Sequence, residues 1–187
     1  EENKKWNPTI LTEFVSNEIL SNKLSKTSGE SKNNDFNQTK RYINILGISS
    51  ALNYLHQNKI FHGNLNPSVI FLDENLHPKI CDYGISRDFK EIIKESYQYV
   101  APEILQGEPY GFSADIYSFA MIAYEIITGL KPYSEIDEFN VNILNQIIHG
   151  SLRPNIHSNT NMKMKDLIEK CWNSDPVKRF IQNYQNK

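Results

Sequence analysis

The chain has 187 residues, 39% apolar and 22% charged, which suits one globular domain with one core. Twenty basic residues against 22 acidic ones leave a net charge of −2, which argues against a polybasic nucleic-acid binder and an acidic tail. No apolar run nears the roughly 20 residues of a membrane span, no signal peptide is expected at the front, and two cysteines, Cys81 and Cys171, cannot build a disulfide framework, so a reducing, cytoplasmic setting is expected.

Asparagine is abundant, at 22 residues. It disfavours helix interiors and suits caps and turns. In chain order, Thr9 to Thr12 is short and β-prone, with Pro8 ahead of it. Lys23 to Lys40 is rich in Ser, Lys, Asn and Thr, with only Leu24 and Phe36 as large apolar residues, and reads as a solvated insertion. From Arg41 the pattern turns helical, because Ile45, Ile48, Leu52 and Leu55 recur at spacings of three and four. Three β-like pieces follow: Lys59–Phe61, Val69–Leu72 and Pro78–Cys81. Ser113 is the expected N-cap of an almost wholly apolar, buried helix through Asp115, Phe119 and Ile126, ended by Gly129 and Pro132. Glu135–Ile148 and Met162–Trp172 are expected to be two further helices. Ile143, Ile147 and Ile148 are expected in the core. The sum is an α+β layout, mainly helical. His56, His77, His149 and His157 have no metal-ligand spacing and read as surface or loop residues. Cys81 and Cys171 read as small buried hydrophobes.

The chemistry concentrates in His62-Gly63-Asn64-Leu65-Asn66-Pro67-Ser68-Val69, then Asp82-Tyr83-Gly84, then Ala101-Pro102-Glu103. In this order and spacing the chain resembles the eukaryotic protein kinase family, with a degraded H-R-D-L-K-P-x-N loop, a D-F-G-like triplet and an intact A-P-E. Ser113-Ala114-Asp115-Ile116-Tyr117-Ser118-Phe119 is similar to the start of the family's central helix. Cys171-Trp172, Asp175-Pro176 and Arg179 are similar to its C-W-x-x-D-P-x-x-R signature. Thr12-Glu13-Phe14-Val15 is similar to its adenine-contacting hinge, with Thr12 at the gatekeeper place. The flavour is tyrosine-kinase-like. Neither a G-x-G-x-x-G loop nor a V-A-I-K strand is present. The resemblance therefore implies the large (C-terminal) lobe with its hinge, the small lobe largely missing. Residues 9–16 would be the last small-lobe strand and hinge, 23–40 a polar insertion, and 41–187 the large lobe.

Phosphoryl transfer is positioning and charge screening more than covalent work. At the place of the family's catalytic Asp stands Asn64, an amide with no charge and no basicity at neutral pH. Losing a general base typically costs on the order of 10²–10⁴ in rate. Asn66 takes the place of the phosphate-contacting Lys, which removes a cation. Val69 takes the place of the metal-binding Asn and has no oxygen for magnesium. No catalytic residue is intact. The resemblance leaves Thr12, Glu13, Val15, Phe71 and Asp82 as a weak nucleotide set, and Asp82 as the surviving magnesium ligand. The packing residues persist: His62, Leu65, Pro67, Asp115 for the loop backbone, Tyr83 for the family's Phe, and Glu103 with Arg179 as a buried ion pair. Gly63 replaces the Arg that would clamp a loop phosphate, which weakens the case for Ser96, Tyr97 and Tyr99 as phosphate acceptors.

The expected function is a pseudokinase-like binding or scaffold module. It needs no cofactor, binds ATP and magnesium weakly at most, and takes protein partners of unstated identity rather than nucleic acid or a membrane. The alternative is an active or weakly active ATP-dependent protein Ser/Thr kinase of signal transduction whose small lobe lies outside this chain. A third reading is a non-functional fragment.

Overall fold

The computed structural model describes residues 12–15, 18–27, 35–83, 96–136 and 140–179. The fold is mainly helical, with one small sheet. Its first helix, α1 (Leu20–Thr27), falls where a solvated insertion was expected to begin. The composition is polar, yet Leu20 and Leu24 lie one turn apart on one face and both are buried. Lys23 between them is buried as well, its ammonium paired with Asp35 at 2.6 Å and Glu18 at 3.7 Å. Phe36 is fully buried. The expectation of a solvated stretch over 23–40 fails at these residues, because two well-spaced leucines outweigh six polar neighbours.

The second helix, α2, runs from Gln38 to Gln57. Asn37 caps it, its side chain accepting the Lys40 N–H at 3.0 Å. The expected stripe of Ile45, Ile48, Leu52 and Leu55 is buried. Arg41 reaches out of this helix to the Ile126 and Ile127 carbonyls.

The strands β1 (Ile70–Leu72) and β2 (Pro78–Ile80) pair antiparallel, with Phe71 opposite Lys79. Ile19 bridges to Phe71 on the other edge, and the Leu72 N–H donates to the Glu18 carbonyl at 2.8 Å. The sheet lies on α2 at Gly47, where a Cβ would come within 2.6 Å of Pro78 Cγ. No strand forms at Lys59–Phe61: Lys59 has φ 60° and turns the chain out of α2.

After the short α3 (Pro102–Leu105), α4 (Phe112–Thr128) forms the buried centre and packs on α2. Its cap is Gly111, not Ser113, which sits inside the first turn. Gly129 ends it at φ 74°, as expected. The helix α5 spans Val141–His149, with Asn140 as its cap. It is shorter than expected, since Tyr133–Glu135 form turns. Of its isoleucines, Ile147 is buried, Ile143 packs partly buried on the core, and Ile148 is half-buried. The last helix, α6 (Met162–Cys171), is capped by Asn161 and also packs on α4. Three of the asparagines, Asn37, Asn140 and Asn161, thus serve as helix caps. Cys171 is buried, its thiol pushed up to about 11 by burial, whereas Cys81 is half-buried rather than a core residue. Thr9–Leu11 and Gly84 lie outside the described residues.

Candidate functional site

The loop His62–Val69 is anchored from beneath by Asp115. This carboxylate is fully buried in the first turn of α4. Its Oδ2 accepts the His62 N–H at 2.7 Å and its Oδ1 the Gly63 N–H at 3.2 Å. Tyr110 Oη donates to Oδ1 at 3.1 Å, and His56 Nε2 lies 2.9 Å from Oδ2. His56 is therefore not a surface residue. It is buried at the C-terminal end of α2, with its ring centroid 4.9 Å from that of Phe112. Sequence reasoning missed both His56 and Tyr110, and found Asp115.

Above this anchor the loop closes on itself. His62 is fully buried, and burial holds its imidazole below the ordinary histidine range against the opposing pull of the Asp115 carboxylate. Its Nδ1 accepts the Asn64 N–H at 3.3 Å. Gly63 stands at φ 85°. Asn64 is half-buried. Asn66 is 6% exposed. Its Oδ1 accepts the Ser68 N–H at 2.9 Å and caps the 3₁₀ turn Pro67–Val69, while its Nδ2 donates to the Asn64 carbonyl at 3.0 Å. Val69 is 5% exposed, and its carbonyl accepts the Cys81 N–H at 2.9 Å. That bond ties Cys81, the residue before Asp82, to the end of the loop. Asp82 itself is exposed, in a left-handed conformation at φ 59°. Tyr83 is 50% exposed.

The Val69 side chain carries no oxygen and belongs to the apolar core. No group of three His, Cys, Asp or Glu side chains lies together among the described residues.

At the hinge-like segment Thr12 and Glu13 are exposed and Val15 is half-buried. Glu13 pairs with Lys79 on β2, and that bond raises the lysine's proton affinity. Because Lys79 faces Phe71 in register, the pair brings the segment to the half-buried Phe71.

Further down, Ser96 and Tyr99 are buried and Tyr97 is half-buried, a poor arrangement for phosphate acceptors. Tyr99 Oη donates to the buried Glu125 carboxylate, and burial raises the proton affinity of both groups. Arg179 meets Glu103 with two parallel bonds of 2.6 and 2.7 Å. The arginine side chain is wholly buried and the glutamate side chain 14% exposed. Arg179 also donates to the Ser113 carbonyl at 2.9 Å and lies over the Tyr117 ring at 5.1 Å. The expected ion pair is present.

Two kinds of comparison bear on this arrangement. The family model described as a protein kinase domain matches residues 2–184. Among curated proteins, the chain is 33% identical over 178 residues to serine/threonine-protein kinase STY17 of Arabidopsis thaliana, covering 92% of this chain and 30% of that protein. It is 33% identical over 187 residues to a probable serine/threonine-protein kinase of Dictyostelium discoideum, covering 95% of this chain and 14% of that one. It is 34% identical over 146 residues to serine/threonine-protein kinase 12 of Arabidopsis thaliana, covering 72% of this chain and 31% of that one. The chain thus spans about a third or less of these relatives' length. No helix among the described residues is long and apolar enough to cross a membrane. With a matching family model over nearly its whole length, the chain belongs to the protein kinase domain family.

Proposed function

We propose that the chain is a pseudokinase-like binding or scaffold module: a protein kinase fold kept as architecture, with phosphotransfer lost. The observation that carries this reading is Asn66. It stands where the family has a phosphate-contacting cation, and both ends of its amide are spent inside the loop. Asn64 adds no base and Val69 no metal oxygen, while the anchors at Asp115 and Glu103–Arg179 are kept. In this reading residues 9–16 are strand and hinge and 41–187 a large lobe of tyrosine-kinase-like type, working in signal transduction in the cytoplasm through protein partners. Thr12, Glu13, Val15, Phe71 and Asp82 form at most a weak nucleotide site.

The test is transfer of radiolabelled phosphate from ATP to a generic protein substrate. Turnover no higher than in an Asp82→Ala control is expected, and Asn64→Asp alone should not raise it. Turnover above that control would sink the proposal. The second reading is a weakly active protein Ser/Thr kinase, favoured by the names of the relatives and by Asp82.

A further inference from the structure

We infer that Asn66 is a latch: the side chain at the family's lysine place holds the His62–Val69 turn closed instead of reaching a phosphate. The inference rests on the non-catalytic reading of this loop. Its basis is a complete accounting of one amide. The Ser68 N–H can meet only an oxygen, and the Asn64 carbonyl only a nitrogen, so the two bonds at 2.9 and 3.0 Å fix which way the Asn66 amide points. Asn64 Oδ1 lies 3.4 Å from the same nitrogen. With 6% of its surface exposed, Asn66 has little room for a longer side chain.

A lysine here would bring three donors and no acceptor, and the Ser68 N–H would lose its partner. The neighbouring departures agree with the same conformation. Gly63 at φ 85° holds a backbone that an arginine would occupy only under strain. Val69 at 5% exposure lies in the core, where an asparagine would bury an amide among apolar groups. Gly63 and Val69 are thus compatible with the closed turn that Asn66 holds. Asn66, where the cation is missing, carries a structural task.

The experiment uses the full chain and the variants Asn66→Ala, Asn66→Lys and Asn66→Asp. Thermal melts are read together with hydrogen exchange at the Ser68 amide. Asn66→Ala should lower the melting temperature by roughly 3–8 °C, the sum of two lost bonds. Asn66→Lys should fall at least as far, and in both the Ser68 amide should exchange at least about tenfold faster, the equivalent of one lost bond. Asn66→Asp keeps the oxygen and drops the donor, so it should keep Ser68 protected while losing part of the melting temperature. That rescue separates a latch from general crowding. Should Asn66→Lys fail to fold, Asn66→Ala and Asn66→Asp decide the matter. Wild-type melting and wild-type Ser68 exchange in Asn66→Ala would overturn the latch, as would an Asp variant that loses Ser68 protection as fast as the Ala variant. Phosphotransfer found in the wild-type chain would overturn the proposed function and leave these melts standing.

Discussion

Asp115→Asn is the sharpest test of how this loop is held. The carboxylate receives donors on both oxygens: His62 N–H and His56 on Oδ2, Gly63 N–H and the Tyr110 hydroxyl on Oδ1. Asparagine keeps the shape and turns one oxygen into an NH₂. If the NH₂ replaces Oδ2, it confronts the His62 N–H at 2.7 Å. If it replaces Oδ1, the Tyr110 oxygen can turn to accept, and only the Gly63 N–H at 3.2 Å is orphaned. The second orientation is the cheaper. One buried backbone donor without a partner costs about 1–3 kcal/mol, and a chain of this size loses roughly 2–4 °C per kcal/mol. The melting temperature of Asp115→Asn should therefore drop by about 2–12 °C. Asp115→Ala strips all four donors and should drop it at least twice as far. Differential scanning calorimetry reads both values. Hydrogen exchange should show the Gly63 amide opening before that of His62 in the Asn variant. An Asn variant that melts with the wild type, or that exposes His62 first, would refute this account of the anchor.

Three further outcomes follow from the geometry. Glu103→Ala leaves the wholly buried Arg179 guanidinium without its carboxylate and should cost about 3–5 kcal/mol in urea unfolding, whereas Glu103→Gln with Arg179→Met should cost less than the two single changes summed. Because burial keeps the His62 proton affinity below the ordinary 6.5 in the fold, the unfolded chain binds the proton first; stability should fall as pH drops below 6.5, and His62→Gln should flatten that slope in thermal melts. Gly150→Ala places a Cβ 2.2 Å from Ser174 Oγ at φ 76°, so it should lose about 2 kcal/mol in chemical denaturation, with only the clash relieved when Ser174→Ala is added.

What was readable beforehand divides by the range of the interaction. The stripe on α2 and the stop at Gly129 are local and periodic, and they stand as expected. Asp115 and the Glu103–Arg179 pair are distant contacts, legible only because the motif order supplied them. His56 shows the limit: its partner lies 59 residues further along, and no spacing within α2 marks one histidine as buried. The helix α1 was hidden by composition, since two leucines and a lysine stem held by Asp35 do what a longer apolar stripe does elsewhere. Ser113 has the chemistry of a cap but stands inside the first turn, because Gly111 already takes the extended conformation that starts the helix. At the candidate site the identities of Asn64, Asn66 and Val69 suggested loss of chemistry. That Asn66 is bonded at both ends depends on the three-dimensional turn, which no residue identity reveals.

The wide sequence separations at the two anchors bear on how the chain emerges during synthesis. His62 precedes Asp115 by 53 residues, and Glu103 precedes Arg179 by 76. At the roughly 5–20 residues per second of translation, the loop waits about 3–10 s for its carboxylate, and Glu103 about 4–15 s for its arginine. Over those seconds α2 can form on its own local contacts, while the loop above it and the acid of the lower half stay unpartnered. The nascent chain should therefore remain open to proteases and chaperones around Phe61–Val69 until α4 has emerged, and should lock its lower half only once Arg179 has cleared the ribosome.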